Sequence, residues 1–322
     1  MLMGGAIFVV TAFVRTPLQL TFSRFTAGAF VGVQPAVLAM VAASTPRRVL
    51  PFAIGAMQSG AALGLSVGPV AGGTLFDRYG LEAAFIGNGA FLAVAAVLVL
   101  LFTTERFVRP AVSRSIMRPL RDMARMSASK ELAPLLLLVF LVQVGTLVVF
   151  PSLPVIVDQI RGAGRPGAAT ASGVLFMAYG LSQTISSLGI GWLGSRIGLG
   201  RVVPTACLLA SVAYIVPFFM YGLSAFILTV AAAALFGGGL LGGINGLIAL
   251  TAPPERQGSL FGATQSVIAL AIGIGPLIGG IAAETLGLRS VFWLAVAFYG
   301  ATTALAVMLL RQRLPRQGRR VG

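Results

Sequence analysis

The sequence predicts an all-α, polytopic helical membrane protein, and three observations carry that class. Of its 322 residues 57% are hydrophobic and only 10% charged, a balance too apolar for a water-soluble domain. Apolar runs long enough to cross a hydrocarbon core about 30 Å thick, roughly 20 residues as helix, recur along the chain. Lipid offers backbone amides no partner, so such runs must be helical, and the alternating pattern of a membrane barrel is absent. Third, residues 44–85 and 251–292 are two copies of one pattern at a gapless offset of 207. Pro46, Gly55, Gln58, Ser59, Gly68, Pro69, Gly72 and Gly73 return as Pro253, Gly262, Gln265, Ser266, Gly275, Pro276, Gly279 and Gly280. An acidic residue (Asp77, Glu284) and a Gly-Leu-x-x-x-Phe tail (Gly80 to Phe85, Gly287 to Phe292) match as well. About a third of the window is identical, which points to a duplicated structure. Duplicated halves of apolar helices broken by Gly and Pro are the architecture of secondary transporters.

Taken in order, the apolar segments are 1–14, 20–43, 51–75, 82–103, 133–157, 168–190, 202–222, 224–250, 259–283 and 288–310. The first, at roughly 20 Å of helix, is short for a span of its own. Residues 104–132 are polar and carry Arg106, Arg109, Arg114, Arg118, Arg121, Arg125 and Lys130, so they divide the chain into halves. The resulting organisation is an incomplete N-terminal half (1–103), a basic cytoplasmic linker (104–132), a six-helix C-terminal half (133–310) and a basic cytoplasmic tail (311–322). The second half opens near residue 133, so at the repeat offset residues 1–14 match 208–221, its third span. The expectation is a twelve-span protein represented from its third span onward, about ten helices being present.

The net charge of +15 sits in short connections rather than on one binding face, which argues against a nucleic-acid partner. Of the 23 basic residues, 17 fall in 44–50, 104–132, 191–201, 251–258 and 311–322. The exceptions are Arg15, Arg24, Arg78, Arg161, Arg165 and Arg289. The positive-inside rule therefore places the linker and the C-terminus in the cytoplasm of a multi-pass protein of a bacterial-type inner (plasma) membrane. One cysteine and no histidine leave no disulfide framework, no metal centre and no imidazole proton relay. No nucleophile–base pair or phosphate-cradling loop suggests an enzyme.

Three motifs make the chain resemble the major facilitator superfamily, and within it the twelve-span drug:proton antiporters. Gly64, Gly68, Pro69, Gly72 and Gly73, preceded by Gly60, match the fifth-span signature Gly-x-x-x-Gly-Pro-x-x-Gly-Gly. Arg24, Phe25 and Gly28 match a fourth-span Arg-Phe-x-x-Gly pattern. Gly191, Leu193, Arg196, Gly198 and Arg201 form a degraded cytoplasmic loop motif, with Ser195 where the family has Asp and Leu199 and Gly200 where it has basic residues. The resemblance implies the major facilitator fold and proton-coupled efflux of small amphipathic compounds. It also implies spans three to six in the first half and a proton-coupling role for Arg24. The alternatives are a non-transporting truncated remnant and an uptake transporter for a small metabolite.

The chemistry expected of particular residues follows. Pro69 and Pro276 bend helices, and the Gly64, Gly68, Gly72, Gly73, Gly275, Gly279 and Gly280 rows admit a close neighbour, either for gating or for plain packing. Every acidic residue lies in a loop or at a span end, which leaves Asp158, past Pro151 and Pro154, as the carboxylate to pair with Arg24. Gln34, Gln143, Gln183 and Asn245, with Tyr179, are the candidates for a substrate cavity, because amides in lipid must face the bundle interior. Gln58 and Gln265 read as interhelical bonds. Residues 112–127, with Arg114, Arg118, Arg121 and Arg125 against Ile116, Leu120 and Met123, read as a surface helix on anionic headgroups or as a linker. No cofactor is expected beyond the proton gradient as energy source, and no partner beyond substrate and lipid, the protein being a monomer.

Overall fold

The computed structural model describes residues 2–30, 33–102, 132–162, 168–251 and 257–317. The elements are α1 (Leu2–Ala12), α2 (Pro17–Phe30), α3 (Val33–Ser44), α4 (Leu50–Phe102), α5 (Ala133–Val149) and α6 (Ser152–Arg161). They continue with α7 (Ala168–Leu193), α8 (Leu199–Ala213), α9 (Leu223–Gly237), α10 (Leu240–Thr251), α11 (Gln257–Leu286) and α12 (Ser290–Gln317). Each of the ten apolar segments is helical over most of its described length. Seven described stretches are long and apolar enough to cross a membrane. One of them, Ala171–Phe219, has 49 residues, about 73 Å of helix, enough for two crossings. It is divided by a π-helical turn, Gly194–Gly198, whose last residue has φ +88°.

The repeat tail has a backbone reason. Gly80, inside α4, and Gly287, between α11 and α12, both adopt positive φ, at 84° and 92°. A side chain is strained in that region, so the joint between consecutive spans requires glycine in both copies. The segments 51–75 and 82–103 therefore meet at a joint with no loop, and the helical run Leu50–Phe102 is non-helical only at Gly80.

Two compact units arise, one from Met1–Val37 with Val67–Arg118, the other from Leu38–Ser66 with Pro119–Gly322. In the first, α1 approaches the end of α4 at a glycine pair, where a Cβ on Gly5 would lie 3.0 Å from the Gly89 carbonyl oxygen. The buried hydroxyls of Thr11 and Ser23 bond α1 to α2.

The second unit is held by the same device, used repeatedly. Lipid tails are as apolar as leucine, so helices gain from close van der Waals approach and interhelical hydrogen bonds rather than from escape from water. A Cβ on Gly55 of α4 would meet Gly191 Cα of α7 at 3.0 Å, and one on Gly191 would meet the Pro51 carbonyl at 2.8 Å. Nearby, the Ser59 hydroxyl is shared between the Gly55 carbonyl of its own helix at 2.8 Å and the Thr184 carbonyl of α7 at 3.1 Å. Helix α5 runs between α11 and α12, facing Gly275 and Gly279 of the former and setting its own Gly145 against Phe298 of the latter. Val139, Val148, Ile156, Phe226, Ile244 and Phe292 fill the core. Cys207 on α8 is wholly buried among them.

Candidate functional site

The duplicated glycine motif is asymmetric in what it touches. On α11, a Cβ at Gly275 would lie 2.7 Å from Leu147 Cβ, and one at Gly279 would run into the backbone carbonyl of Val148. Gly280, one residue further and about 100° around the helix, meets nothing within 4 Å. On α4, a Cβ at Gly60, Gly64, Gly68 or Gly72 would meet nothing within 4 Å among the described residues. Pro69, Gly73 and Pro276 lie within these helices.

The degraded loop motif turns the chain from α7 into α8. Gly191 is the close-approach residue against α4, and Gly198 takes the positive φ that ends the π turn. Ser195, where the family has Asp, donates to the Trp192 carbonyl at 2.7 Å and so serves the local turn. The Arg196 guanidinium lies 4.2 Å above the Trp192 ring, and Arg201 is exposed.

The candidate cavity residues fall on different elements. Gln143 is half-buried on α5, and Gln183 and Tyr179 share α7. Tyr179 is closed in, 4% exposed, with its ring edge-on to Phe150 at 5.7 Å. Tyr214 stacks on Tyr299 at 5.2 Å, and the Tyr299 hydroxyl lies 2.9 Å from Thr146 Oγ1. Thr146 gives its own proton to the Val142 carbonyl, so Tyr299 is the donor between them. The result is a buried pair of stacked tyrosines, Tyr214 on Tyr299, tied by the Tyr299 hydroxyl to Thr146 and so joining α12 to α5. Arg24 and Gln34 belong to α2 and α3, and their side chains lie outside the described residues, as does the basic surface helix at 112–127. Asp158 is half-buried on α6, one turn before Arg161. The apolar groove of about 970 Å³ between α1 and α2 is lined by Ile7, Phe13, Leu18 and Phe22 among others, and by none of the candidates with described side chains.

The sequence reading treats 224–250 as one uninterrupted span. The structure keeps it as one span, Leu223–Thr251, with a two-residue turn at its midpoint, between α9 and α10, where Gly237, Gly238 and Gly239 follow one another. Each glycine is met by a polar side chain. The Tyr299 hydroxyl lies 2.9 Å from a Cβ position on Gly237, and Gln183 Cγ 2.7 Å from one on Gly238. The Gly239 N–H donates to Ser186 Oγ at 2.9 Å instead of to a helix carbonyl. Gln183 Nε2 donates to the Gly238 carbonyl at 3.4 Å, and its Oε1 finds no acceptor role among the described residues. Asn245, on α10, is 1% exposed, and neither of its amide atoms has a hydrogen-bond partner among those residues. Irregular backbone at membrane depth is tolerated only inside protein or along a cavity, and in transporters it marks where binding occurs. Ser186 and the triple glycine were the features that hydropathy alone did not bring forward.

Glycine crossings, a span with a turn at its midpoint and buried amides describe a helical membrane protein of the transporter class, one whose helices are packed closely. The chain belongs to the Major Facilitator Superfamily, whose family model matches residues 1–164 and 135–322. It is similar to the multidrug resistance protein MdtG of Citrobacter koseri, 29% identical over 280 residues that cover 85% of this chain and 67% of that protein. The uncharacterized MFS-type transporter YuxJ of Bacillus subtilis is 28% identical, over 92% of this chain and 76% of its own. Among solved structures, the human organic anion transporter MFSD10 aligns with a TM-score of 0.79 at 19% identity, covering 95% of this chain and 75% of that one. The transporter FucP in its outward conformation aligns with a TM-score of 0.73 at 15% identity, over 95% and 80% of the two chains. These confirm the major facilitator fold of an integral, multi-pass membrane protein.

Proposed function

We propose that this protein exports small amphipathic compounds, multidrug substrates among them, across the plasma membrane in exchange for protons, by alternating access. The observation that carries the reading is the antiporter signature at Gly64–Gly73, repeated at Gly275–Gly280, in a chain whose relatives include multidrug resistance proteins. Proline-bent, glycine-faced helices can slide against a neighbour while keeping a tight seal, which is what rocking halves require. Transport rather than catalysis is the activity, the proton gradient is the energy source, and the unit is a monomer. The basic linker and C-terminus lie in the cytoplasm against anionic headgroups, as the distribution of 17 among 23 basic residues supports. Arg24 and Asp158 are the proposed groups for proton coupling, and Gln34, Gln143, Gln183, Asn245 and Tyr179 the proposed residues of the substrate cavity.

The test is drug accumulation in cells expressing the complete protein, with and without an uncoupler. Lower accumulation that the uncoupler restores is the expected result. Export that ignores the gradient defeats proton exchange. No export of any tested compound favours the uptake or remnant reading.

A further inference from the structure

Two side chains at the break in the middle of Leu223–Thr251 have hydrogen-bonding capacity that the fold leaves unused. They are the carbonyl oxygen of Gln183 and the whole amide of Asn245, unpartnered among the described residues. Gln183 packs on Gly238, and Asn245 lies seven residues beyond, two helical turns and roughly 10 Å along the same face. Gly242, between them, faces the side chain of Gln58, whose Cγ would lie 3.3 Å from an added Cβ, so the row is amide-rich along its length. Burying an amide without partners costs as much as a lost hydrogen bond, and a leucine at 245 would fill the same volume without that cost. Nothing in the packing demands an amide there.

The geometry points to a hydrogen-bonding subsite at the glycine break, which takes an uncharged group bearing both a donor and an acceptor, such as the carboxamide of a neutral amphiphile. Asn245 supplies one donor and one acceptor to that group, and Gln183, roughly 10 Å along the row, an acceptor to a second donor on the same ligand. The charge state follows from the surroundings. The buried polar residues among those described are Ser, Thr, Gln and Asn, with no charged side chain, so a cation there would have dipoles and no counter-charge. Asn245 is sealed in this conformation. The three glycines, with the Gly239 amide held by Ser186 in place of the helix, are the joint at which α10 can tilt and unseal it. This subsite rests on the export reading and gives it a substrate class.

The experiment uses the full chain in lipid nanodiscs and two radiolabelled probes, chloramphenicol (a neutral aromatic compound with an aliphatic amide and hydroxyls) and tetraphenylphosphonium (a permanent cation with no donor or acceptor). Unfolding of each ligand-free variant is followed alongside. Asn245→Leu should weaken chloramphenicol about ten-fold, the loss of one to two hydrogen bonds, and leave tetraphenylphosphonium within about two-fold. Its ligand-free Tm should hold or rise. Gln183→Met should weaken chloramphenicol about three-fold, from the single acceptor. Unchanged chloramphenicol affinity in Asn245→Leu overturns the subsite. So does a lower ligand-free Tm with equal loss of both probes, because Asn245 would then be a structural bond, bridged by water. Tight tetraphenylphosphonium binding without chloramphenicol binding overturns the subsite and leaves export standing. Binding of neither probe, with no export of either from cells, removes the export reading as well.

Discussion

Gly279 and Gly280 are neighbours in sequence and should respond in opposite directions to the same added methyl group. A Cβ on Gly279 meets the Val148 carbonyl carbon at 3.1 Å and Cα at 3.2 Å, all of it backbone that cannot rotate aside. Accommodating it means parting α5 from α11, and overpacking of this kind costs about 1–3 kcal/mol. Gly280 faces open space, so Gly280→Ala adds only the helix preference of alanine, a gain of up to about 1 kcal/mol. The two variants should therefore differ by about 1–3 kcal/mol, the overpacking cost alone, because alanine's helix preference is gained at both positions. Each is purified in mild detergent and unfolded with increasing mole fraction of dodecyl sulfate, followed by far-UV circular dichroism. Gly279→Ala should unfold first, wild type next and Gly280→Ala last. Equal midpoints for the two alanines would refute the claim that this crossing is set by glycine. The first copy supplies a contrast. Gly68→Ala should leave stability within about 0.5 kcal/mol of wild type or raise it, because a methyl there meets nothing within 4 Å, whereas Gly275→Ala meets Leu147.

Three further outcomes are expected. Arg289 donates to the carbonyls of Pro217, Phe218 and Met220 at 3.3, 2.8 and 2.7 Å and lies over the Tyr221 ring, so Arg289→Ala should cost about 2–4 kcal/mol in the same unfolding assay. Arg289→Lys should recover little of it, since an ammonium cannot reproduce the planar stacking, and full recovery would show that charge alone matters. Tyr299→Phe, which removes the donor to Thr146 and keeps the stacked ring, should cost about 1 kcal/mol, and a variant as stable as wild type would show that this bond contributes nothing. Reporter fusions after residue 125 and at the C-terminus should read cytoplasmic and one near residue 163 external; 125 and 163 on one side would overturn the orientation.

Span existence was legible because hydropathy is an average property, and a run of apolar residues in lipid has only the helix available to it. The joint glycines were legible too, since the duplication singled out Gly80 and Gly287 before any dihedral angle was known. Which glycine of a row meets a neighbour was not, because Gly279 and Gly280 differ only in direction around the helix and direction has meaning only once α5 is in place. The break at Gly237–Gly239 escaped for a related reason: glycine barely lowers a hydropathy average, so 224–250 reads as continuous. Arg289 looked like an exception to the charge bias. Its charge is consumed locally by the carbonyls that end the helical stretch before Tyr221, a contact that joins residues about 70 positions apart. The aromatic candidate, Tyr179, illustrates the remaining gap. Ring chemistry suits it equally to a drug or to the ring of Phe150, and only packing distinguishes the two.

The burial of Cys207 has a practical side. It is the sole thiol in 322 residues and has no accessible surface, so thiol reagents should pass it by in the folded protein. The wild-type chain is thus its own unreactive background. A spin label, a fluorophore or a membrane-impermeant maleimide can be directed to any single cysteine introduced on the surface, with the native residue left in place among its neighbours. Motions of α10 about its glycines can then be followed as distances in a protein whose core has not been altered to make the measurement.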